Sequence, residues 1–99
     1  MAPNASILLT TVADYYIEGT QKSNPTTLTV NRCLDKVAKE QAYGFWDLLD
    51  ICGGIGSAKD WIKCNLMSRD RVHFVKEGYQ LQGKLLTQAL IEGYRAFRP

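Results

Sequence analysis

Residues 6–12, SILLTTV, are a short apolar run rich in β-branched side chains, the pattern of a buried strand. The next polar stretch, EGTQKSNPTT at 18–27, is dense in Gly, Ser, Asn, Pro and Thr and predicts a loop. From Leu28 to Gln41 the apolar positions Val30, Leu34, Val37 and Ala38, followed by Ala42, recur at helical spacing. Arg32, Asp35, Lys36, Lys39 and Glu40 fill the other face, with Asp35 and Lys39 in the supportive i,i+4 order. YGFWDLL at 43–49 predicts a second strand. DICGGIGSAKDW then reads as a glycine-rich turn into a short helix, with Ser57 as N-cap and Asp60 in a capping-box position. Residues 63–75 read as loop. Glu77 to about Phe97 predicts a long helix with Leu81, Leu85, Ala89, Leu90, Tyr94 and Phe97 on one face.

Strand, helix, strand, loop, helix is the order of a βαβ unit on a parallel sheet, and therefore of an α/β fold. Two strands make a poor parallel sheet, because both faces and both edges need cover. The pattern is that of part of an α/β domain, and its open edges invite pairing with another chain or a homo-oligomer. At 99 residues the chain is one domain or a portion of one. No internal repeat or low-complexity segment interrupts it.

Composition narrows the functions. Hydrophobic residues at 45% and charged residues at 22% are ordinary for a globular protein. A net charge of +2 is too small, and too evenly spread, to argue for a nucleic-acid partner or an anionic membrane. No apolar run approaches the ~18 residues of a membrane span. MAPNASILLTTVADYY lacks a basic n-region and has too short an apolar stretch for a signal peptide. Cys33, Cys52 and Cys64 form no CxxC pair, which speaks against a disulfide framework or a zinc knuckle.

The single histidine carries the candidate chemistry. His73 follows Asp70 by three positions, so the carboxylate can curl back onto the ring's Nδ1–H, fix the tautomer and leave Nε2 free as a base. A satisfied structural histidine remains the alternative reading of the same residues. CGGIGS at 52–57 has neither P-loop nor Rossmann spacing and reads as a turn into a capped helix. Asp70, His73, Cys52 and Cys64 lack the closely spaced pairs of a structural zinc site, so no metal and no cofactor is expected. Trp46 and Trp61 suit core packing better than stacking on a ligand. A nucleophile is missing: Ser6, Ser23, Ser57 and Ser68 lie in no nucleophile elbow, and nothing near Cys64 would lower its pKa.

Asp70-x-x-His73, then Glu77-Gly78-Tyr79 and a helix ending near Tyr94, resembles the last block of the SGNH (GDSL-like) hydrolases, in particular the bacterial lipase/acylhydrolase branch. There a D-x-V-H-F segment runs into E-G-Y-x-L-x-G-x-L-L. FWDLLDICGGIGSAKDW and ILLTTVADYY are similar to the stretches upstream, so the resemblance spans about Ser6 to Tyr94. It implies a three-layer, flavodoxin-like α/β/α sandwich with a central parallel sheet, of which residues 1–99 would be a single partial domain, the C-terminal βαβ-α part. It also implies His73 as general base and Asp70 as its orienter in a serine esterase. The family's G-D-S serine, and the glycine and asparagine of its oxyanion hole, have no counterpart here. Val75 stands where a capping Thr or Ser is expected, and Cys52 where methionine is common.

The resemblance thus implies a C-terminal portion of a carboxylic ester hydrolase, inactive alone, whose partner is the missing N-terminal half. Its substrate would be an ester, on analogy an acylated carbohydrate, and its setting extracytoplasmic, periplasmic or secreted. The residues themselves fix no compartment. The alternative is a non-catalytic binding or structural module that pairs with another chain.

Overall fold

The computed structural model describes residues 5–97. The first residues of the stretch read as lacking a signal peptide, 1–4, lie outside the described residues. Strand β1, Leu8–Thr10, and strand β2, Gly44–Trp46, pair in parallel, with Leu8 opposite Gly44 and Thr10 opposite Trp46. Helix α1, Thr26–Gln41, makes the crossover and packs against both strands. Helices α2, Leu48–Ile51, and α3, Ala58–Lys63, follow, and α4, Lys76–Phe97, closes the order. This is a small α/β unit, as the alternation of patterns predicts.

Polar ties fix the sheet to its surroundings. Asn31 on α1 reaches Val12 twice: its Oδ1 accepts from the Val12 amide at 2.8 Å and its Nδ2 donates to the Val12 carbonyl at 2.9 Å. That pair imitates a strand partner just beyond β1. It also sets which side of α1 faces inward. Thr27, Asn31 and Ala38 are buried, whereas Val30 and Val37, expected on the apolar face, stay exposed. Ala42, expected to extend that face, instead holds a left-handed cap at φ 55°, after which the Tyr43 amide donates to Ala38 at 2.8 Å.

Two further expectations are corrected. The strand predicted over 43–49 ends at Trp46 because the Asp47 side chain accepts from the Asp50 amide and starts α2. Asp47 Oδ1 also accepts from the Thr11 hydroxyl at 3.0 Å, and that hydroxyl accepts from the Leu49 amide. Ser57 stands at the N-cap position of α3 but makes no capping bond. The capping acceptor is Asp14, whose Oδ2 takes the amides of Gly56 at 2.9 Å and Ala58 at 3.0 Å and the Ser23 hydroxyl at 2.8 Å. A buried carboxyl group from the segment that follows β1 therefore holds the glycine-rich turn from across the fold.

The core consists of Tyr16, Ala58, Trp61 and Met67, with Phe74, Leu66 and Cys52 packed around it. Trp61 is a core residue, and its indole donates to the Cys52 carbonyl at 2.9 Å. By contrast, the apolar stripe predicted for α4 is largely bare, with Tyr94 at 66% and Phe97 at 85% exposure. Leu85 and Ala89 alone of that stripe are half-buried. A two-stranded sheet offers too little surface for a helix this long to lie against.

Candidate functional site

Residues 68–73 form a tight loop at the edge of this core. Met67 and Phe74 bridge its base in antiparallel fashion, and the Ser68 amide donates to the His73 carbonyl at 2.8 Å. Phe74 is wedged edge-on between Trp61, 5.3 Å away between ring centres, and Tyr79, at 5.6 Å. The residue after His73 is thus anchored in the core, and α4 starts two residues beyond it.

The Asp70 carboxylate organises the loop interior. Its Oδ1 accepts from the Ser68 hydroxyl at 2.6 Å, the Val72 amide at 2.9 Å and the His73 amide at 3.0 Å. Its Oδ2 lies 2.7 Å from His73 Nδ1. An ionised carboxylate only accepts, so the ring donates through Nδ1–H and leaves Nε2 with a lone pair. The His73 and Asp70 side chains are 70% and 49% exposed, so the imidazole faces outward with Nε2 unpartnered among the described residues. The bond to His73, then those to Ser68 and the two amides, holds the Asp70 carboxyl well below the usual carboxylate range. A carboxylate that stays charged is what an orienting partner needs when the imidazolium forms.

Ser68 was the serine nearest in sequence, and the structure ties it to the carboxylate, away from Nε2. Ser23 is bonded to Asp14, and Ser57 is buried. No hydroxyl of the described residues meets the free face of the ring. Cys52 and Cys64 do not join Asp70 and His73, and no cluster of metal-ligating side chains occurs among the described residues. Burial pushes the Cys52 thiol up to about 11, the wrong direction for a nucleophile or a thiolate ligand. No described helix is long and apolar enough to cross a membrane.

Sequence reasoning missed the devices that aim the loop. The Tyr16 amide donates to the Arg71 carbonyl at 3.1 Å, which ties the loop to the segment that Asp14 anchors. Arg71 holds a left-handed backbone at φ 59°, closing a turn in which its amide donates to Ser68 at 3.0 Å. Only the Glu-Gly-Tyr triplet hinted at a third device, the close approach of Gly78 to Leu66.

No protein-family model matches the chain, and no curated protein does. Among solved structures, one described as "Peptidoglycan O-acetylesterase in action, 5 min" superposes with a TM-score of 0.88 at 25% identity. The match covers 96% of this chain and 28% of that one, so the chain spans under a third of the length of the protein it resembles. A likeness of this extent to a peptidoglycan O-acetylesterase bears out the resemblance read from Asp70-x-x-His73 and Glu77-Gly78-Tyr79: the chain has the fold of the C-terminal portion of an SGNH hydrolase.

Proposed function

We propose that residues 1–99 are a single partial domain that supplies the Asp–His part of a catalytic triad for carboxylic ester hydrolysis. His73 is the general base through Nε2, and Asp70 orients it and offsets the charge of the imidazolium. The 2.7 Å bond from Nδ1 to Oδ2, with Nε2 facing outward, carries this reading. The serine, and the glycine and asparagine that bind the oxyanion, come from a segment outside these residues, the N-terminal half of the hydrolase domain. In the assembled site His73 takes the serine proton as Oγ attacks the ester carbonyl, then returns it to the departing alkoxide. A water deprotonated by the same nitrogen releases the acyl group as its acid. The likeness to a peptidoglycan O-acetylesterase supports an acetylated carbohydrate as the substrate class, and with it an extracytoplasmic setting.

The test is hydrolysis of p-nitrophenyl acetate by the chain alone and by the chain joined to a segment bearing the G-D-S, glycine and asparagine blocks. Alone, it hydrolyses no faster than buffer. Joined, it turns over, and His73→Ala lowers the rate by roughly a thousandfold or more. Hydrolysis by the chain alone that disappears in His73→Ala would refute the division of labour. A joined enzyme indifferent to His73→Ala would refute the base.

A further inference from the structure

The two oxygens of the Asp70 carboxylate carry unequal loads. Oδ2 faces His73 Nδ1 and has no other partner among the described residues. Oδ1 accepts from the Ser68 hydroxyl and from the Val72 and His73 amides. Those amides belong to the turn and would be present with most side chains at 72 and 73. The Ser68 hydroxyl is the one donor to Oδ1 that a side chain supplies. At 2.6 Å it falls in the short class of O–H···O⁻ bonds, which are about twice as strong as neutral ones.

The backbone does not need serine at this position. The Ser68 amide donates to the His73 carbonyl at 2.8 Å, and the Ser68 carbonyl accepts from the Arg71 amide at 3.0 Å. Any residue with an amide could make both bonds. Together with the buried Met67 beside it, bridged to Phe74, they fix where the side chain starts. What serine adds is the hydroxyl. An aspartate carboxyl turns easily about its last torsion, which is broad and two-fold. The Asp70 side chain is also 49% exposed, so water competes for its oxygens. A short bond to Oδ1 resists both, because the carboxylate cannot turn Oδ2 away from Nδ1 without breaking it. The same bond draws charge from the carboxylate, so the shared proton stays on Nδ1 when the imidazolium forms.

We propose that Ser68 is a positioning residue for His73: its hydroxyl fixes the plane of the Asp70 carboxylate, so that Oδ2 holds Nδ1–H in place while Nε2 takes and returns the proton of the attacking serine. Ser68 exchanges no proton in the reaction and acts through Asp70 alone. The inference rests on the reading of His73 as general base and adds a third residue to the Asp–His pair.

The hold on Asp70 is read in the chain alone, where no hydrolysis is needed. Ser68→Ala removes the hydroxyl and keeps both backbone bonds, Ser68→Cys keeps the volume with a weak donor, and Ser68→Thr keeps the hydroxyl. In Ser68→Ala and Ser68→Cys the acid transition of the Val72 and His73 amides moves up by about one pH unit. Ring nitrogen shifts show a larger share of the Nε2–H tautomer in the same two variants. Ser68→Thr matches the parent in both respects. An unmoved transition or an unchanged tautomer in Ser68→Ala and Ser68→Cys, or Ser68→Thr behaving as they do, would overturn the proposal. In the chain joined to the G-D-S segment, Ser68→Ala lowers kcat for p-nitrophenyl acetate about tenfold and leaves KM unchanged. Undiminished kcat in a joined enzyme that depends on His73 would overturn the proposal as well. A joined enzyme indifferent to His73→Ala would sink the base reading and, with it, the role of Ser68 in catalysis. The transition and the tautomer would then report on the Ser68–Asp70 bond alone, which separates the two failures.

Discussion

Gly78, in the first turn of α4, lies against the carbonyl oxygen of Leu66, close enough that a Cβ would overlap it; the Phe74 Cβ would lie 3.0 Å from the same added carbon. That carbonyl also accepts from the Val75 amide at 3.0 Å, so the start of α4 and the base of the histidine loop are held at one point. Val75 lacks the hydroxyl a helix N-terminus prefers, and this contact takes over the positioning. Gly78→Ala gains about 1 kcal/mol of helix propensity. It loses about 1–3 kcal/mol or more to overpacking against backbone that has no rotamer to yield. Net destabilisation in urea unfolding is the expected outcome, with shifted His73 ring signals. A more stable Gly78→Ala would show that the approach positions nothing.

The depressed Asp70 carboxyl gives the loop a defined acid response. A group whose folded pKa is lowered stabilises above its unfolded value, ~3.9, and the stabilisation disappears as pH falls through the folded value. The Val72 and His73 amides, both donors to Asp70, are therefore expected to keep their chemical shifts as pH drops through the ordinary carboxylate range and to change only in stronger acid. Asp70→Asn abolishes this transition and leaves the His73 tautomer mixed, since an amide can donate as well as accept. Ring nitrogen shifts read the tautomer directly. Retention of the parent tautomer in Asp70→Asn would show that Asp70 does not orient the ring.

The Asp–His pair was legible in the chain because its chemistry is local. Three residues of spacing suffice to bring a carboxylate to Nδ1, and the loop needs only its own amides to complete the turn. Strand and helix order was legible for the same reason, as periodicity is a local signal. What the chain hid was long-range polar pairing. Asp14 meets Gly56 and Ala58 more than forty residues away, Asn31 meets Val12, and Asp47 meets Thr11, with no pattern to announce any of them. The Asp14 tie also displaced Ser57 as the cap. The bare stripe of α4 misled in the other direction: its periodicity is real, but it is not covered among the described residues.

Asp14 is expected to matter more for stability than its sequence surroundings suggest. It is buried, and Asp14→Ala would strip acceptors from two amides and the Ser23 hydroxyl at once. Leaving a buried donor unpaired costs about 1–3 kcal/mol, so a loss of several kcal/mol is expected. Asp14→Asn, which keeps one acceptor oxygen, loses less. Circular dichroism during urea unfolding separates the three proteins, and equal stability of Asp14→Ala and the parent would refute this role.

The thiols should divide by environment. Cys33 and Cys64 are exposed, while Cys52 is partly buried and its thiol is pushed up to about 11. The thiolate is the reacting species, so a thiol reagent at mildly alkaline pH should modify two cysteines quickly and the third slowly, until unfolding equalises them. Equal rates for all three in the folded chain would contradict the packing around Trp61.

Uncovered surface makes association the last expected property. The chain exposes 7423 Å2, against roughly 5,700 Å2 for a folded monomer of its mass. Its radius of gyration is 15.1 Å, against about 13 Å for a compact chain of this length. The excess contains Leu90, Ile91, Tyr94 and Phe97 on α4 and Ile7 and Leu8 at the first strand. β1 pairs with β2 on one side, and the far side meets no strand among the described residues. An open strand edge beside exposed apolar side chains is a template for pairing. Sedimentation velocity should therefore show the chain associating as its concentration rises. Tyr94→Lys combined with Phe97→Lys should weaken this while leaving the His73 tautomer unchanged, because the loop is held by Leu66, Phe74 and Tyr16 instead. A chain monomeric at every concentration would mean that the stripe is tolerated in water and that association is no part of how this chain persists.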